Sequence, residues 1–89
     1  MMNSESCPKR GEQVIAQKAS DDLLLLNMED GNYYSLNEVG GRIWELCDGN
    51  RSVSQLIATL AAEYNVSNET LEKDVCEVLE DLENGKLIV

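Results

Sequence analysis

The chain has 89 residues, 43% of them apolar and 27% charged, with a formal net charge of −10. That length and apolar share describe one folded domain with a small core and exclude a disordered chain. No apolar run reaches the ~18 residues of a membrane-spanning helix, and the N-terminus lacks the apolar stretch of a signal peptide, so the cytoplasm is the expected address.

Residues 1–11 are polar, carry the only proline and end in Gly11. They read as a disordered tail, with the folded domain at 12–89. Val14 and Ile15 suggest a short first strand. Leu23 to Leu26 is an apolar run too short for a helix, and acids bound it on both sides. Asp30-Gly31 is a turn signal, because Gly31 takes positive φ without steric cost. Tyr33, Tyr34, Ser35 and Leu36 form the returning strand, so residues 22–36 read as a β-hairpin.

Asn37 suits an N-cap, and Val39, Ile43, Leu46 and Cys47 follow at helical spacing to a stop at Gly49. This first helix covers about 37–48. Gly40 and Gly41 within it each cost about 1 kcal/mol relative to alanine, which implies a close backbone neighbour, expected to be the hairpin. Ser52 with Gln55 is a capping-box pattern opening a second helix over 52–64, with Asn65 as a left-handed cap. Ser67 caps a third helix whose apolar stripe is Leu71, Val75, Val78, Leu79 and Leu82. Asn84-Gly85 ends it, and Leu87, Ile88 and Val89 form a short strand or docked tail. Cys47 and Cys76 fall on apolar helix positions and read as small buried hydrophobes.

The order is strands first and helices after. It predicts an α+β domain, an N-terminal three-stranded antiparallel β-sheet followed by three helices, winged-helix-like in outline.

The residue inventory argues against catalysis. With no histidine, the commonest general base and metal ligand are missing. The three cysteines, Cys7, Cys47 and Cys76, lack the close pairing of a zinc site. Gly40-Gly41-Arg42 matches neither a dinucleotide nor a phosphate-binding glycine motif. No cofactor or metal is expected, and the numerous carboxylates read mainly as solvated surface.

Charge argues against nucleic acid as well. From Asp21 onward fifteen acids face only Arg42, Arg51, Lys73 and Lys86. On the third helix, Glu69, Glu72, Asp74, Glu77, Glu80, Asp81 and Glu83 accompany the single Lys73. In a DNA-reading winged helix this element would enter the major groove, where affinity comes largely from cations on phosphates.

The stretch GNYYSLNEVGGRIWELCDGNRSVSQLIATLAAEYNV, Gly31 to Val66, resembles the PqqD family. So does the continuation to Leu87, where an acidic amphipathic helix ends in glycine and an apolar tail. The most specific part runs from Tyr33 to Gly49, although the double glycine departs from the more usual small residue such as alanine at its second position. The resemblance implies a winged-helix-like domain that does not bind DNA. It also implies a leader of a ribosomally made precursor peptide held as an added strand on the third strand, in a groove against the third helix. The modifying enzyme, a radical SAM protein or a lasso-peptide leader peptidase and cyclase, is then brought to the tethered peptide.

On this sequence the expected peptide-binding residues are Tyr33, Tyr34, Ser35 and Leu36 on the strand, with Leu71, Asp74, Val75, Glu77, Val78 and Asp81 on the helix. Alternation puts Tyr34 and Leu36 on one face and Tyr33 and Ser35 on the other. Most of the helical stripe is expected to be core, and periodicity does not say which margin faces the strand. A homodimer through the Tyr33–Leu36 edge would mask the peptide site. Two other functions stay open at this point: a scaffold subunit that holds an enzyme without touching a peptide, and a DNA-binding regulator, which the acidic third helix disfavours.

Overall fold

The computed structural model describes residues 5–89. Three strands come first, Val14–Ala19 (β1), Asp22–Asn27 (β2) and Tyr33–Leu36 (β3). Three helices follow, Glu38–Leu46 (α1), Val53–Tyr64 (α2) and Asn68–Asn84 (α3). The strands form one antiparallel sheet in the order β1-β2-β3, the α+β architecture expected from the sequence. No helix among the described residues is long and apolar enough to cross a membrane.

Local chemistry sets most boundaries. Gly31 takes φ +74° in the β2–β3 turn, and Asp30 Oδ1 accepts from the Asn32 N–H at 2.9 Å. Asn37 caps α1 by accepting from Gly40 N at 2.8 Å. Ser52 and Gln55 make both bonds of the capping box, and Asn65 closes α2 in the left-handed region at φ 54°. β1 runs to six residues, well past Val14 and Ile15. Ala16, Gln17 and Ala19 are weak strand formers, so pairing with β2 overrides their propensity.

One face of the sheet meets the helices. Leu25 is fully buried there, and Ile43, Leu56, Leu60, Val75 and Leu79 close the same core from α1, α2 and α3. The double glycine of α1 sits on the hairpin, as anticipated. A Cβ on Gly40 would lie 3.2 Å from Leu36 Cβ, and one on Gly41 3.4 Å from Leu23 Cβ. Cys47 is buried, donates to Ile43 O, and its thiol pKa is pushed up by burial to about 12. Cys76 differs from expectation. It is exposed, because one step past Val75 on the helix rotates it ~100° away from the buried stripe.

The N-terminal segment also differs. Residues 6–11, expected to belong to a disordered tail, are tied to the body by backbone bonds; residues 1–4 of that expectation lie outside the described residues. Lys9 pairs in both directions with Val89, Arg10 N–H donates to Cys47 O, and Gly11 N–H to Leu87 O. Arg10 Nη1 also donates to the Trp44 and Glu45 carbonyls at the end of α1. The end of α1, the start of α2 and the C-terminal tail all present backbone groups without helical partners, and this segment satisfies them.

Candidate functional site

β3 is an edge strand. Among the described residues it pairs only with β2, in the register Leu23↔Leu36, Leu24↔Ser35, Leu25↔Tyr34 and Leu26↔Tyr33. In an antiparallel pair, opposed residues alternate between exchanging backbone bonds and pointing them away. Asn27 N–H donates to Asn32 O, whereas the next N–H along, that of Met28, turns the other way to Gln13 O. Carried along the register, this alternation directs Tyr34 and Leu36 at β2. Tyr33 and Ser35 direct their N–H and C=O groups out of the free edge.

The two ends of that edge stand differently toward α3, which packs on α1 and α2. At one end, Tyr34 packs on the C-terminus of α3: a Cβ on Gly85 would fall 2.7 Å from Tyr34 Oη. Asn27, 1% exposed, fastens the same point. Its Nδ2 donates to Gly85 O at 3.2 Å, and its Oδ1 accepts from the Glu29 N–H at 3.0 Å. At the other end, where β3 passes into α1, the two elements part. A groove of about 350 Å³ opens there between Asn37, Val39 and Gly40 on one side and Asp74, Glu77 and Val78 on the other.

The residues anticipated from sequence divide in three. Tyr33 and Ser35 are exposed on the outer face, while Tyr34 and Leu36 are half-buried on the helix side. Asp74, Glu77 and Val78 line the groove, and Asp81 is exposed one turn beyond Glu77. Leu71 and Val75 belong to the core, at 7% and 0% exposure, and have almost no surface to present. Sequence reading missed Asn27, Asn37, Val39, Gly40 and Gly85 as shapers of this region. Asn27 shares the parity of the inward-facing Leu23 and Leu25, which is the signal that marks a polar side chain as buried and bonded.

Charge around the groove is one-sided. Neither Asp74 nor Glu77 has an ion-pair partner among the described residues, while Arg42 pairs with Glu45 and Glu63, and Arg51 with Asp48. A second depression, about 220 Å³, lies by the β1–β2 turn against Arg42 and Tyr64. The Arg42 guanidinium is already taken by a bidentate bond to Glu63.

The family description "coenzyme PQQ synthesis protein D (PqqD)" matches residues 22–88, from the start of β2 almost to the C-terminus. The chain belongs to the PqqD family. A PqqA binding protein of Xanthomonas campestris pv. campestris (strain 8004) is 28% identical to it over 89 residues, 98% of this chain and 95% of that one. Among solved structures, TbiB1 in complex with the TbiA(beta) leader peptide superposes with a TM-score of 0.78 at 31% identity. That match covers 90% of this chain and 93% of TbiB1. A lasso peptide synthetase B1 complexed with its leader peptide gives a TM-score of 0.80 at 18% identity, covering 94% and 99%, and shares the fold. The matched PqqD region contains the β3 edge, the groove and all of α3.

Proposed function

We propose that this PqqD-family chain is a non-catalytic recognition element. It captures the leader of a ribosomally made precursor peptide as a strand added to β3, and presents it to a modifying enzyme. The observation that carries the reading is the pair Tyr33 and Ser35, whose backbone groups face out of the sheet, with an open groove just past the end of their strand. Strand addition draws affinity from such main-chain bonds and selectivity from flanking pockets. The relatives support the same reading, since the Xanthomonas protein is named for binding PqqA and TbiB1 was solved with a leader peptide.

In this scheme Tyr33, Tyr34, Ser35 and Leu36 supply the docking edge. Val78, Asp74, Glu77 and Asp81 form the wall, with Leu71 and Val75 as the packing beneath it. The enzyme partner is a radical SAM protein or a leader peptidase working with a cyclase. The setting is the cytoplasm, where ribosomal precursors are made. A homodimer through β3 would compete with the peptide for the same backbone groups.

Titrating leader peptides into ¹⁵N-labelled protein tests this. The Tyr33 and Ser35 amides should move most, with slowed hydrogen exchange in the complex. A scaffold that holds an enzyme without a peptide is the second reading, favoured by Ile15, Leu24 and Tyr33 standing exposed on the outer sheet face. Unmoved amides together with intact enzyme binding would select it.

A further inference from the structure

We propose that the groove between α1 and α3 is a subsite for one long-stemmed cation, Lys or Arg, on the captured strand. The inference rests on the strand-addition reading and adds the chemistry of one peptide position. A strand bonded to Tyr33 and Ser35 turns the residues beside Tyr34 and Leu36 toward α3, ~6.7 Å apart. Beside Tyr34 the gap is closed, because the phenol ring rests on Gly85. Past Leu36, at Asn37, it is open, and the groove begins there. One inward-facing side chain is therefore accommodated, at a defined register.

The lining states what that side chain is. Val39 and Val78, both half-buried, make an apolar floor. Asp74 and Glu77 stand exposed at the rim with no cation of the described chain paired to them. They sit three residues apart on one helix face, an arrangement in which like charges oppose each other. Lys73, the one cation of α3, stands ~100° around the helix from Asp74 but one turn before Glu77 on nearly the same face, and it makes no ion pair with either. A methylene stem on the valines with its charge between the two carboxylates matches both features. A norleucine of the same length fills only the floor, and an acid is repelled.

Positional-scanning mixtures of strand-length peptides serve as the probe, each fixing Lys, Arg, norleucine or Glu at one position. Binding is read from the Tyr33 and Ser35 amide shifts of the intact protein. The expected result is a preference for Lys or Arg over norleucine of about 5- to 10-fold, at a single position. It should shrink with added salt, vanish in Asp74→Asn/Glu77→Gln, and persist in the control Glu69→Gln/Glu72→Gln. Equal binding of norleucine and lysine, or a preference that survives Asp74→Asn/Glu77→Gln, overturns the subsite while strand addition stands. If no mixture moves the two amides, strand addition itself fails and the subsite with it.

Discussion

The ring of Tyr34 rests on the α-carbon of Gly85, so closely that a methyl group there would meet the phenol oxygen at 2.7 Å. Gly85 has φ −82°, a value open to any residue, so its lack of a side chain serves proximity and not backbone conformation. Gly85→Ala should therefore displace the ring and destabilise the fold by about 1–3 kcal/mol. In a Tyr34→Ala background the same change should cost much less. A double-mutant cycle by urea denaturation measures the difference.

The left-handed residue at this helix end is Lys86, at φ 59°. Leu87 N–H donates to Leu82 O and Lys86 N–H to Glu83 O, the two bonds of a Schellman cap, with Lys86 where glycine is usual. Lys86→Gly is expected to raise stability by about 1 kcal/mol, visible as a higher urea midpoint at unchanged slope.

Asn27 joins the hairpin to the same helix end through both side-chain atoms. Asn27→Leu keeps the volume but leaves the Gly85 carbonyl and the Glu29 amide without that partner. A loss of about 1–3 kcal/mol is expected. Faster amide exchange at Glu29 and broadened Tyr34 ring signals would distinguish this from a general loss of packing.

These residues show where sequence reasoning stops. Capping chemistry is local, so Asn37, Ser52, Asn65 and Ser67 announced the helix ends within a residue or two. The hairpin was legible from Asp30-Gly31 and the apolar runs on either side. What escaped depends on distant partners. The glycine stop after α3 was read from its residue type, yet the positive φ belongs to Lys86 and the glycine answers to Tyr34, 51 positions away. The N-terminal segment looked like a tail because polar residues say nothing of backbone bonds to Cys47, Leu87 and Val89. On the candidate site, the stripe on α3 was visible by periodicity. Which margin faces the groove follows from how α3 packs on α1, and that places Asp74, Glu77 and Val78 at the groove and Leu71 and Val75 in the core.

Arg42 links α1 to α2 through its bidentate bond with Glu63. That hydrogen bond holds the Glu63 carboxyl below its ordinary value of 4.5. A carboxylate with a lowered folded-state pKa adds stability above its unfolded value and loses it as pH falls through the lowered one. Arg42→Met should accordingly lower Tm at neutral pH. The gap to the wild-type protein should narrow below about pH 4.5, as thermal melts across pH 3–7 would record.

The outward direction of the Ser35 amide gives the most direct test of the edge. Proline at 35 deletes an N–H that β2 does not use, and edge strands tolerate proline where the donor faces away from the sheet. Ser35→Pro should keep the fold, at a cost within about 1 kcal/mol, and weaken leader-peptide binding about 10-fold or more through the lost bond and the ring in its path. Tyr34→Pro reverses the pattern. Its N–H faces Leu25 within the sheet, so the fold itself should lose about 3 kcal/mol or more. Circular dichroism and a binding isotherm on the two proteins separate the cases. A folding defect in Ser35→Pro with a tolerated Tyr34→Pro would mean that the backbone parity of β3 is opposite to the one described, and that Tyr34 and Leu36 present the free groups.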